Sequence, residues 1–523
     1  MIRVEACCLL ALVALGCGNP PISGSGGTGG TGGAPPTPDA GVLPAVPPEV
    51  VTYAQDWPLP GRDYANSRAR LDSRITKANV ANLELAWSIP IPGFGFYSNT
   101  STTPLIVGNT VYMQDLSSNV WAVDLATGAL RWKKTYDQLQ VGPSGVALGY
   151  GKLYAAKNGD EIAALDPNTG QELWATRITA TETDGIDIQP TVAGGLVFAS
   201  TVPISVQGFY RGGDRGVIWA LDANTGRRVW TFDTVLGNMW GDPSINSGGG
   251  AWYPPAVDIE RGLIYWGTAN PAPFPGNPQF PNGTSRPGEN LYTDSVVALK
   301  LRTGELAWYY QAYPHDLFDR DLVLTATVDL SSRGINKRVT IGTGKGAHVF
   351  VLDADSGALL SKTAVGIHKN DELTELTGDT EVFPGLFGGV ITPPSVADGV
   401  VYVAVLNAGN VHSPSRENYL GGAALGQRPG QVVAVDAVDG RILWDTQVDG
   451  DPFGGTLVMG DLVFTACGNK AIALDRATGA IVRTFAMPSG TNAWPAATAD
   501  TIVWPLGGSP APALVAYRIK RAP

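Results

Sequence analysis

A short unit, roughly A-x-D-x-x-T-G-x-x-x-W, recurs along the chain and constrains its fold more than any other feature. It stands as AVDLATGALRW (122–132), ALDPNTGQELW (164–174), ALDANTGRRVW (220–230) and ALKLRTGELAW (298–308). Degenerate copies are VLDADSGALLS (351–361), AVDAVDGRILW (434–444) and ALDRATGAIVR (473–483), which makes seven. In the first unit, the alternating strand 119–123 runs into a turn. Asp124, Thr127 and Gly128 there supply side-chain-to-backbone bonds and a position tolerant of positive φ. A second strand, 129–132, leaves the turn and ends on Trp. A further apolar strand, such as GGLVFAS (194–200) or GDLVFTA (460–466), precedes each unit, so each repeat holds about four strands.

Four-stranded units repeated around an axis make an all-β propeller. Residues 82–87 (NLELAW) are like only the closing strand of a unit, and 513–517 (ALVAY) like the strand before such a closure. Joining them predicts an eighth blade made from both ends of the domain, which removes the free sheet edges. Seven blades with loose ends is the alternative. The periodic Trp and Gly residues are structural, each closing Trp being expected to lie flat between neighbouring sheets.

Composition agrees. Sixty-six Gly and 39 Pro suit many short strands joined by turns, and 44% hydrophobic against 16% charged residues marks a well-buried globular chain. A net charge of −11 excludes the basic footprint of a nucleic-acid binder.

The N-terminal stretch reads as targeting sequence. Arg3 precedes an apolar run at 6–16 that is too short to span a bilayer, and it ends in Ala14-Leu15-Gly16-Cys17. This resembles the lipobox of bacterial lipoproteins, although ordinary signal-peptide cleavage also accommodates it. The resemblance implies a signal peptide at 1–16, a lipidated Cys17 and an exported protein of the bacterial cell envelope held to a membrane by acyl chains. Residues 17–50 are rich in Gly, Pro, Ser and Thr and read as a tether, leaving 51–523 as the propeller. Of four cysteines only Cys467 lies in the globular part, where a small buried hydrophobe is its expected role. The sequence has no CxxCH, so a one-electron acceptor such as a cytochrome c would be a separate molecule. His315, His348, His368 and His412 show no metal-ligand spacing.

Two intervals, Asp222 to Lys300 and Asp353 to Asp436, carry roughly 25–40 more residues than the other repeats, and long insertions in compact folds are usually functional. Four ordered landmarks lie in or after the first: Trp252 in GGGAW, YWGTANPAPFPG (265–276), RPGENLYTDSVVALK (286–300) and YPHDLFDRD (313–321). Together with the opening segment 56–87, they resemble the quinoprotein (PQQ-dependent) alcohol dehydrogenases, collinearly over about residues 52–520. The resemblance implies an alcohol dehydrogenase acting on a small or bulky alcohol, with PQQ held beside Ca²⁺ in the propeller funnel. Carried over residue by residue, it makes Asp319 the general base and a metal ligand, and Asn270 a metal ligand. Trp252 becomes the stacking floor for the cofactor, while Lys345 and Asn407 become polar contacts to it.

The chain also departs from that family. No cysteine occurs in the stretch Gln138–Ser144, where the family has an adjacent pair, and Ser144 stands where an Arg is expected. The metal-binding Glu is missing: Arg211 lies nearest its place, and no Glu occurs between Glu182 and Glu260. A cation there opposes metal binding by like-charge repulsion. Asp187 and Asp214 are the substitute carboxylates at hand. Two functions therefore stand side by side: a PQQ-dependent dehydrogenase, and a non-catalytic propeller lipoprotein acting as an envelope scaffold or binding module.

Overall fold

In the computed structural model, the turn of each repeat forms as its residues predict. Asp124 Oδ1 accepts from the backbone N–H of Thr127 (2.9 Å) and from its hydroxyl (2.9 Å), and Gly128 follows with φ 76°. Asp166, Asp222 and Asp353 repeat the arrangement. In each hairpin the register slips where the outer strand begins, as between Ala122 and Val123, a bulge that adds right-handed twist.

The structure describes residues 43–93, 98–179, 184–203, 212–417 and 423–520. The signal segment, Cys17, most of the tether and Arg211 lie outside the described residues. Among those described, strands from eight successive stretches form eight sheets, at 105–134, 146–177, 184–233, 256–311, 324–364, 395–448, 457–486 and 496–519. The last sheet is completed by Leu83–Pro90, which pairs antiparallel with Ala513–Ile519 and sets Trp87 against Ala516. The propeller thus has eight blades and closes with strands from both ends of the domain.

Blades dock through the repeat tryptophans. Trp87, Trp132, Trp174, Trp230, Trp308 and Trp444 each cover the turn glycine of the next blade, where a Cβ would come within 2.9 Å of the ring or closer. In five of the six the indole N–H then donates to a carbonyl in that turn, as from Trp132 to Pro167 (3.0 Å) and from Trp308 to Ala354 (3.1 Å), whereas the buried Trp174 indole N–H has no partner among the described residues. In the degenerate fifth unit Ser361 takes the Trp position over Gly440. Gly304 has φ 72°, and a Cβ there would lie 2.5 Å from the Trp230 ring. Gly304→Val is expected to cost about 2–4 kcal/mol in chemical denaturation, from strained backbone and lost docking together; an unchanged midpoint would show that the blades do not depend on this contact.

Packed chain begins before residue 51. Gly194 N–H donates to Ala45 O, and the Glu49 carboxylate accepts from the backbone of Tyr150 and Gly151, so 43–50 sit on the second and third blades. The segment 57–70 then crosses the axis. Tyr64, Ala65, Ser67 and Arg68 offer their carbonyls in turn to Val257, Thr327, Val396 and Val458, one from each of blades four to seven. This row closes one end of the axial channel, with the Arg68 guanidinium buried inside it.

Candidate functional site

Above that plug lies an axial cavity of about 160 Å³. Its wall includes Trp252, Asn270, Asp321, Lys345, Asp187 and the apolar Phe387. The half-buried Trp252 ring packs on Tyr253 (centroids 4.7 Å apart), and Tyr253 packs on Trp494 (5.1 Å), so the ring is braced from below.

The loop 315–321 sets the charge. Asp316 accepts from the backbone N–H of Phe318 (2.9 Å) and of Arg320 (2.8 Å), which folds the loop tightly. His315, Asp319 and Asp321 take positive φ (52°, 63° and 38°), a concentration of strained backbone typical of sites. Two carboxylates thereby meet one ammonium: Lys345 Nζ lies 2.7 Å from Asp319 Oδ2 and 2.6 Å from Asp321 Oδ2. The same ammonium is 5.8 Å from the Trp252 ring centroid. Asp321 Oδ1 accepts the Asn270 backbone N–H (2.9 Å), whereas Asp319 Oδ1 is buried without a partner. Burial, then the negative charge of Asp321, pushes the Asp319 carboxyl well above its ordinary range despite Lys345. Lys345 is held protonated, since its two carboxylates outweigh burial.

The inserted segments pack on one another beside this cavity. Asn282 donates to Leu376 O (3.0 Å) and accepts from Leu376 N–H (3.0 Å), bridging the two insertions. Leu317 and Phe318 pack with Leu376 and Val382 beneath them. Arg320 donates to the carbonyl of Asp371, which ties the acidic loop to the second insertion.

Of the residues named from sequence, Trp252, Asn270 and Lys345 line the cavity, and Asp319 stands behind Lys345. Asn407 does not line it. Its carboxamide accepts from Ile367 N–H (3.1 Å) and donates to Pro429 O (2.8 Å), a brace between loops. Asp214 is buried away from the cavity wall, whereas Asp187 is part of it. Asp187 takes a backbone hydrogen bond from Gly142, and burial pushes its carboxyl up to about 8. Val141, Gly142 and Pro143 form the wall where the resemblance places a cysteine pair. A Cβ on Gly142 would meet the Asp187 carboxylate at 2.5 Å, so this wall fits only with glycine there. Sequence reasoning missed Asp321; its signal was the D-x-D spacing with Asp319.

An eight-bladed propeller whose cavity gathers an aromatic ring, a buried ammonium and carboxyl groups is the class that fold and site define. Residues 57–147 and 181–364 match the family described as glucose/ethanol/alcohol dehydrogenase, beta-propeller domain, to which the chain belongs. Residues 369–480 and 420–516 also match the model described as outer membrane protein assembly factor BamB. The quinohemoprotein alcohol dehydrogenase of Comamonas testosteroni is 33% identical over 343 residues, covering 58% of this chain and 46% of that protein. An alcohol dehydrogenase (quinone) dehydrogenase subunit from Komagataeibacter europaeus is 27% identical over 535 residues, covering 86% and 71%. The chain spans about half the length of the first curated relatives it matches, 46% and 47%. The solved structure of the Comamonas testosteroni enzyme superposes with a TM-score of 0.75 at 23% identity, covering 90% of this chain and 81% of that one, a likeness of fold. BamB from Moraxella catarrhalis gives 0.52 at 13% identity, covering 84% and 99%.

The residues present can be tested against the groups this family implies. For PQQ they fit: a braced aromatic wall suits a flat ring system, and a buried ammonium suits quinone and carboxylate oxygens. For a divalent ion they do not. Among the described residues no group of three His, Cys, Asp or Glu side chains could hold a metal, and Lys345 already engages both nearby carboxylates.

Proposed function

We propose that this chain oxidises an alcohol with PQQ bound in the axial cavity and passes the electrons to a separate carrier. The observation that carries this reading is the convergence of Trp252, Asn270, Asp321 and Lys345 on one cavity in a member of this family. When bound, PQQ supplies the two-electron acceptor. Trp252 offers a face for the ring system to stack on, and Lys345 offers a positive charge to its oxygens. Asp319, held beside the cavity by Lys345, is the carboxylate we assign to take the hydroxyl proton, and its raised pKa makes it the stronger base once ionised. Phe387, Val202 and Ile391 add apolar faces to the wall. Export, lipidation at Cys17 and attachment to a cell-envelope membrane belong to the same proposal, resting on the lipobox-like run 14–17.

A second reading is a non-catalytic envelope propeller. It is favoured by the self-satisfied Lys345 clamp and by the match of 369–516 to the BamB model. The deciding experiment adds PQQ, primary alcohols of increasing size and a dye acceptor to the purified chain, with and without Ca²⁺. Stoichiometric PQQ binding with dye reduction is expected. A folded chain that binds no PQQ would overturn the dehydrogenase reading in favour of the scaffold.

A further inference from the structure

We propose that the quinone site of this chain works without a bound metal ion, the Lys345 ammonium clamped between Asp319 and Asp321 standing where a divalent cation would. The inference rests on the reading that the cavity takes PQQ.

A calcium ion asks for six to eight oxygen ligands, with carboxylates to neutralise it. Among the described residues the cavity offers little of this. Asp321 uses one oxygen on the Asn270 backbone N–H and the other on Lys345. Asp319 gives one oxygen to Lys345, which leaves a single carboxylate oxygen of the pair without a partner. No Glu lies in the sequence between Glu182 and Glu260, the stretch where the metal-binding Glu is expected.

The ammonium, by contrast, is built in. It is largely buried, fixed at 2.6–2.7 Å by two carboxylates whose loop is itself pinned by Asp316, and 5.8 Å from the Trp252 ring centroid. A divalent ion seated within a few ångströms of it would be repelled by a charge that cannot leave without unpairing two buried carboxylates. A lysine in this place does for quinone oxygens part of what a Lewis acid does: it draws electron density toward them through charge-assisted hydrogen bonds. It cannot exchange with solvent or be removed by a chelator.

The test uses the full chain stripped of metal and titrated with PQQ in three arms: excess EDTA, Ca²⁺ and La³⁺. The expected result is one dissociation constant across the arms, within about threefold, read by calorimetry and tryptophan quenching. Binding that appears only with Ca²⁺ or La³⁺ overturns the inference and leaves the quinone reading intact. Absence of binding in all three arms defeats the quinone reading and this inference with it. Lys345→Met is expected to weaken PQQ binding by about 100-fold in every arm, and Lys345→Arg by less than about tenfold. Terbium luminescence on the PQQ-free chain gives a readout that does not depend on those variants folding. No saturable sensitised emission is expected; stoichiometric emission lost in Asp321→Asn would place a metal in the cavity and overturn the inference.

Discussion

Asp319→Asn is expected to lower kcat/KM for alcohol oxidation by about 10³ while PQQ affinity changes by less than about threefold. Asparagine keeps the shape and still offers Lys345 an oxygen, so the clamp with Asp321 survives. What disappears is a site able to take a proton. A loss of 10³ corresponds to about 4 kcal/mol of transition-state stabilisation, in the range of a positioned general base. The pH profile supplies an independent check. A base works only when unprotonated, and burial with the neighbouring Asp321 charge raises this carboxyl. The rising limb of kcat/KM is therefore expected above the ordinary carboxylate range, and Asp319→Asn should lose that limb. An unaltered rate would move the base elsewhere, with Asp321→Asn the next variant to measure.

Arg68→Ala is expected to destabilise the propeller by about 4 kcal/mol in denaturant unfolding. The guanidinium is fully buried on the axis, bonded to Thr456 O (3.2 Å), Thr103 Oγ1 (3.1 Å) and Pro495 O (2.9 Å). No carboxylate pairs with it in these bonds, and burial pulls it down to about 9. Truncation to alanine leaves those acceptors without a donor beneath Tyr253, and adds a cavity. Arg68→Lys should recover part of the loss, because one ammonium cannot reach all three directions that a planar fork reaches. No loss of stability would mean that water replaces the side chain.

Much of the fold was legible because a propeller is periodic. The Asp–Thr–Gly turn is local chemistry, readable from three residues, and the Trp that closes each unit has one neighbour to dock on. The closing of the eighth blade by 83–90 and 513–519 was legible for the same reason: two half-units with free edges need each other. The docking of 43–50 was not. Val50 and Leu43 are isolated apolar residues in a Gly- and Pro-rich run, and only the surface of the second and third blades shows what they cover.

The site divides in the same way. Trp252, Asn270 and Lys345 stand in segments whose local pattern resembles the family, and all three reach the cavity. Asn407 stands in such a segment too, yet its amide is engaged by Ile367 and Pro429, partners far from it in sequence. Asp321 is marked only by its D-x-D spacing with Asp319, and nothing local tells Asp187, which reaches the cavity wall, from Asp214, which does not. The sequence by itself determined the repeat, its turns and the identity of the acidic loop, because each is written in residues that touch their sequence neighbours, and the blade count, because the two unpaired half-units at the domain's ends complete each other. Only the tertiary structure decided which acids share an ammonium and which wall faces the cavity. Those relations join positions 187, 270, 321 and 345, brought together by closure of the ring and by nothing within any one segment.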